Sequence, residues 1–125
     1  MIKYYHYNKC GACRKAKKFL DEHNIRYQET DITLNPPPKT VLKKALRAKG
    51  IKKLFNTSGV EYREKKIKDK IAAMTETQAL ELLAGNGRLI KRPIAVDGER
   101  LTVGFDPDEY RKVWVKKQGR PGATL

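Results

Sequence analysis

Ile2-Lys3-Tyr4-Tyr5-His6-Tyr7-Asn8-Lys9-Cys10-Gly11-Ala12-Cys13-Arg14 is the stretch on which the fold turns. Residues 2–7 are rich in aromatic and β-branched side chains, the composition of a strand. Asn8 and Lys9 form a turn, and a helix starts at Cys10. Its inner stripe is Ala12, Ala16, Phe19, Leu20 and His23, which recur at helical spacing on one face. The only two cysteines of the chain stand where strand meets helix, spaced C-x-x-C.

That placement has chemical consequences. The first turn of a helix leaves backbone N–H groups without partners, and the helix dipole adds positive potential there. Both favour a thiolate over a thiol, so a cysteine at a helix start ionises more readily than a free one. Lys9 and Arg14 add positive charge. Cys10, at the helix start, is the outer, attacking sulfur, and Cys13, one turn in, is the resolving sulfur. Gly11 keeps the approach to Cys10 clear. Three blander readings compete. A buried, inert cysteine pair leaves the strand-to-helix placement without a purpose. A structural zinc centre needs four ligands, and only His6 and His23 could complete it. His23 lies ten residues past Cys13, about 15 Å along the helix. A purely stabilising disulfide closes too short a loop to gain much. A redox dithiol accounts for the pair best, and C-x-x-C near a βαβ pattern is the mark of a thioredoxin-like arrangement.

Working outward, residues 25–32 alternate loosely and form a second strand, completing a βαβ unit with parallel strands and a right-handed crossover. Asn35-Pro36-Pro37-Pro38 stops that strand. Residues 40–49 are a helix with Val41, Leu42, Ala45 and Leu46 inward, ended by Gly50. Ile51 to Phe55 is a short helical piece. Residues 62–70 form one short, highly charged helix. Thr75 and Gln78 make a capping box for a helix that buries Ala79, Leu82 and Leu83 and ends at Gly85-Asn86-Gly87. Residues 94–96 are a third strand, Asp97-Gly98 a hairpin turn, and residues 100–105 a fourth strand with Leu101, Val103 and Phe105 on one face. Asp106 caps the last helix, with Pro107 at its first position and Tyr110, Val113 and Trp114 inward. The expected architecture is α/β: a four-stranded mixed sheet, βαβ then ββα, flanked by helices. It forms one domain over residues 1–118, with a helical insertion at about 36–87 and a flexible tail at 119–125.

The bulk numbers agree with one core. The chain has 125 residues, 39% hydrophobic and 34% charged. No apolar run is long enough to span a bilayer, and the N-terminus runs straight into a strand with no signal-peptide pattern. The expected location is therefore the cytoplasm, where cysteines stay reduced unless they do redox work. The formal net charge of +14 favours anionic partners. The basic residues are spread along the chain, which reads as solvated helix faces and argues against direct nucleic-acid binding.

Four pieces together resemble the arsenate reductase (ArsC)/Spx/MgsR family of thioredoxin-fold proteins. They are Cys10-Gly-Ala-Cys13-Arg14-Lys15-Ala16, Leu54-Phe55-Asn56-Thr57, Arg92-Pro93-Ile94 and Arg100-Leu101-Thr102-Val103-Gly104-Phe105. The likeness covers roughly residues 2–117. It implies that Cys10 attacks an oxyanion or a glutathione-linked sulfur. It also implies that Arg92 and Arg100 hold the anion, to which Arg14 adds positive charge by its place in the first helical turn, and that Pro93 is the cis-proline beside the reactive cysteine. A third family arginine is replaced here by Ser58. Arsenate reductases commonly carry serine where this chain has Cys13, whereas Spx, a redox-sensing regulator that binds RNA polymerase, carries cysteine. Two functions follow from the resemblance. One is an arsenate-reductase-like thiol–disulfide oxidoreductase, with no metal or organic cofactor and with glutathione, glutaredoxin or thioredoxin as reductant. The other is a redox-sensing regulator of RNA polymerase switched by a Cys10–Cys13 disulfide.

Overall fold

A computed structural model describes residues 1–57 and 59–115; Ser58 and the expected tail at 119–125 lie outside the described residues. Strand β1 (Ile2–His6) is followed by helix α1 (Gly11–Glu22) and strand β2 (Tyr27–Asp31). Five helices then come in succession: α2 (Lys39–Lys49), α3 (Ile51–Leu54), α4 (Val60–Glu64), α5 (Ile67–Ile71) and α6 (Glu76–Gly85). A 3-10 turn (Gly87–Leu89) leads into β3 (Ile94–Asp97) and β4 (Arg100–Val103). Helix α7 (Pro107–Tyr110) runs on as a wider helical turn, Arg111–Val115.

The sheet order is β2-β1-β3-β4. β1 lies parallel to β2, with Ile2 opposite Tyr27 and His6 opposite Asp31. It lies antiparallel to β3, with Lys3 opposite Val96 and Tyr5 opposite Ile94. β3 and β4 form the hairpin expected at Asp97-Gly98, with Gly98 at φ +62°. Because successive strand residues point to opposite faces, β1 feeds two cores. Ile2 and Tyr4 pack with Ala95 against Ala16, Phe19 and Leu20 of α1 and against Tyr110 and Trp114. Tyr5 packs with Ile94 and Val96 against Leu42, Ala45 and Leu46 of α2 and against the inner residues of α4, α5 and α6. The sheet is thus sandwiched: α1 and the C-terminal helix cover one face, and the 36–87 insertion covers the other.

Two boundaries differ from the sequence reading, each for a packing reason. Residues 62–70 are not one helix. They split into α4 and α5 around Lys66, which takes a left-handed conformation at φ +53°. On an unbroken helix Tyr62 and Ile67, five residues apart, would point ~140° away from each other. The break lets both bury in the same core. The fourth strand stops at Val103. Gly104, at φ +79°, turns the chain, so Phe105 leaves the face of Leu101 and Val103. It packs instead against Tyr110 (4.8 Å between ring centroids) and Phe19 (6.0 Å). The capping box at Thr75 and Gln78 is present in both directions, and Asp106 caps α7 through the Asp108 N–H. Gly87 sits where a Cβ would fall 1.8 Å from the Ile32 carbonyl oxygen, so only glycine lets the insertion close against the end of β2. Among the described residues no helix is long and apolar enough to cross a membrane.

Candidate functional site

β1 delivers the chain to the site, and a short turn folds it back. The Cys10 N–H donates to the Tyr7 carbonyl at 3.0 Å, which closes the turn. Cys10 is the N-cap of α1, with extended backbone (φ −93°, ψ 121°), and its Sγ accepts from the Cys13 N–H at 3.2 Å. A sulfur in the capping position faces the unpaired donors of the first turn, where negative charge is favoured. Cys10 is half-buried, Cys13 is 1% exposed, and both are free thiols.

The two sulfurs therefore live in different surroundings. Burial pushes the Cys13 thiol up to about 12, and its neighbour Cys10 adds to this; the Tyr7 backbone and the Arg92 guanidinium pull weakly the other way. Cys13 is held protonated at neutral pH. Its backbone is held as well: the Tyr4 hydroxyl donates to the Cys13 carbonyl at 2.5 Å. Burial also raises the Tyr4 phenol above its ordinary range. Tyr4, wholly buried between sheet and helix, thus ties the first turn of α1 to the centre of the sheet.

Of the three arginines singled out in the sequence, Arg92 and Arg14 lie near the cysteines and Arg100 does not. The register that sets Ile94 opposite Tyr5 brings Arg92 level with Tyr7. Its guanidinium carbon lies 4.9 Å from the centre of the Tyr7 ring. The Arg92–Pro93 bond is cis, as the resemblance implied, and Pro93 is buried. Arg14 lies on the exposed side of the first helical turn and donates to the Asn8 carbonyl at 3.2 Å, bracing the loop that carries Cys10. Arg100 is not brought to the site. It pairs with Asp97 across the hairpin, at the end of the sheet where β1 begins. Four strand residues, roughly 13 Å, separate that end from the end near Cys10. Its guanidinium is engaged there by Asp97 Oδ2 (3.1 Å), by the Val113 carbonyl (3.3 Å) and by the Trp114 ring (5.1 Å). The motif Arg100-Leu101 belongs to the hairpin, away from the cysteines.

Two clefts open by these residues, one reaching Cys13 and the other Arg92. One, of about 420 Å³, reaches Cys13 and is lined by His6, Asn8, Arg14, Lys17 and the exposed side of α1. The other, of about 570 Å³, has Arg92 in its wall, together with Asn56, Gly59, Glu61 and Arg88. Arg88 was not singled out from sequence, because it lies in a 3-10 turn outside any of the four motifs. It is exposed, and its Nε stands 3.8 Å from Glu61. The Asn86 side chain accepts from the Arg88 N–H at 3.0 Å and donates to Glu61 at 2.7 Å, so the turn and the cleft wall are tied together. Asn56, within the Leu54-Phe55-Asn56-Thr57 motif, donates to the Arg88 carbonyl at 3.4 Å.

The model of the ArsC family matches residues 5–113. The chain belongs to the ArsC family. Among curated relatives, the uncharacterized protein YusI of Bacillus subtilis is 49% identical over 115 residues, which cover 90% of this chain and 98% of YusI. The regulatory protein MgsR of the same organism is 33% identical, covering 93% of this chain and 92% of MgsR. Among solved structures, a "possible arsenate reductase" from Streptococcus mutans is 40% identical with a TM-score of 0.78, covering 84% of this chain and 91% of that one. The thioredoxin-like ArsC fold expected from the four motifs is the fold of the protein.

Proposed function

We propose that this ArsC-family chain is an arsenate-reductase-like thiol–disulfide oxidoreductase acting on an anionic or glutathione-linked substrate. The observation that carries this reading is the inequality of the two thiols. Cys10 is half-buried and caps a helix, while Cys13 is buried and held protonated one turn below. In this reading the Cys10 thiolate attacks the substrate sulfur and a mixed disulfide forms with loss of the leaving thiolate. Cys13 then attacks Cys10 Sγ, closing Cys10–Cys13 and releasing the second thiolate. An external thiol, glutathione or a glutaredoxin or thioredoxin, reduces the disulfide and returns the enzyme. Arg92, with Arg14 at the mouth of the Cys13 cleft, supplies positive charge for the substrate anion. None of these steps needs a metal or organic cofactor.

A second reading is supported by the relative named as a regulatory protein, MgsR, at 33% identity. In it the same disulfide switches a surface that docks on RNA polymerase, and turnover is absent. One experiment separates the two. Purified protein is assayed with arsenate and with a glutathione mixed disulfide, beside a polymerase pull-down in reduced and oxidised states. Cys10-dependent turnover supports the oxidoreductase. Redox-dependent capture of polymerase with no turnover on either substrate overturns it in favour of the regulator. The expected intermediates are specific: Cys13→Ser traps a mixed disulfide on Cys10, and Cys10→Ser forms none. Mass spectrometry that finds the adduct on Cys13 reverses the roles.

A further inference from the structure

The resolving step poses a problem of its own. Cys13 must attack as a thiolate, yet burial keeps its proton in place up to about 12. A group within reach has to take that proton. Tyr4 and Tyr110 are phenols raised above their ordinary range by burial, so both stay protonated, and Arg92 is a cation. The cleft that reaches Cys13 holds three side chains able to accept a proton: His6, Asp21 and Glu22. Asp21 and Glu22 lie eight and nine residues further along α1, roughly 12 Å or more from Cys13, and Asp21 already accepts from the Tyr27 hydroxyl at 2.6 Å.

His6 is placed differently. It follows Tyr4 by two residues on β1, so both side chains point to the α1 face of the sheet. The His6 ring stacks on Tyr4 at 5.2 Å, and Tyr4 in turn donates to the Cys13 carbonyl. One side of the ring is fixed: Nε2 stands 3.2 Å from Glu29 Oε2. The neutral imidazole keeps one basic nitrogen. Among the described residues no hydrogen bond occupies Nδ1. Lys17 reaches the same Glu29 oxygen at 3.1 Å and shares its negative charge. The charged and titratable groups around His6 are thus Glu29 and Asp31 from β2, Lys17 and Arg14 from α1, and Tyr4 on its own strand.

We propose that His6 is the proton acceptor for Cys13 in the resolving step. This rests on the oxidoreductase reading above, since it begins from a mixed disulfide on Cys10. The Cys13 S–H proton passes to His6 through water in the cleft that both residues line. The Cys13 sulfur forms a bond with Cys10 Sγ, the bond from Cys10 to the substrate sulfur breaks, and that sulfur leaves as a thiolate. The imidazolium is stabilised by Glu29 and loses its proton to solvent through the open cleft. Substrate is reduced by two electrons and the cysteine pair is oxidised by two, with no further reagent.

The test is stopped-flow reaction of the reduced protein with the chromogenic disulfide dithiobis(nitrobenzoate). Attack by Cys10 releases the first thionitrobenzoate, and closure by Cys13 releases the second. His6→Gln keeps a donor for Glu29 and removes the basic nitrogen. The expected result is a second phase slowed by roughly 10²-fold relative to the first. Added imidazole partly restores the rate of the second phase. A ratio of phases unchanged in His6→Gln overturns the role of His6 alone, as does a slowed second phase that imidazole fails to restore. Absence of a first phase that depends on Cys10 overturns the oxidoreductase reading, and this inference with it.

Discussion

At the scale of single residues the most consequential feature is the burial of Cys13, which pushes its thiol up from the ordinary value of 9.0 to about 12. The cost of ionising it in place falls on the folded state. In the unfolded chain Cys13 releases its proton near 9, whereas in the fold it does so near 12. Above pH 9 the folded protein therefore binds more protons than the unfolded one, and stability falls with rising pH. The contribution is complete below pH 9 and is lost through the window from 9 to 12, at a slope approaching ~1.4 kcal/mol per pH unit. The tyrosines raised in the fold have ordinary values of 10.0 and add the same kind of loss from about pH 10. Denaturant melts in reductant at pH 8, 8.5 and 9 are expected to show a decline that Cys13→Ala flattens. An equal decline in that variant assigns the loss to other groups.

At the scale of elements, the strongest local signals in the sequence are those in which a side chain satisfies backbone donors next to it. The Thr75–Gln78 capping box forms in both directions, Asp106 caps α7, and Cys10 caps α1 with its sulfur. Each depends on residues at most three apart, which is why a linear reading finds them. Thr75→Ala is expected to cost about 1 kcal/mol, read as a lower urea midpoint with unchanged slope; an unaltered midpoint means that α6 is held by packing alone. Elements shaped by distant partners were less legible. The break at Lys66 has no glycine or proline to announce it and exists because Tyr62 and Ile67 must both reach one core. Phe105 continues the alternation of Leu101 and Val103 on paper, yet Gly104 turns it to the other face to meet Phe19 and Tyr110.

At the scale of the molecule, the sheet has two ends with different work, and sequence order does not show which arginine goes to which. The order of strands, the two-sided core and the nearness of Arg92 to Tyr7 and Cys13 follow from the βαβ and ββα halves being joined edge to edge through β1 and β3. His6 is legible only once β1, β2 and α1 are assembled, because its partners come from all three. Arg100 shows the opposite error. It stands in a family-like motif eight residues after Arg92, but the hairpin carries it back down the sheet, to Asp97 and Trp114. The two arginines should therefore separate cleanly. Arg92→Ala is expected to slow reaction with anionic glutathione disulfide by about tenfold, the worth of one charge-assisted hydrogen bond, with a smaller effect on a neutral disulfide. Arg100→Ala is expected to leave both rates within about twofold while lowering stability by about 1 kcal/mol, because it removes a half-exposed ion pair and a cation–π contact. Parallel rate and melting measurements decide it. A charge-selective loss of rate in Arg100→Ala would show that the hairpin end of the sheet also meets the substrate, and the division of labour drawn from the register would have to be abandoned.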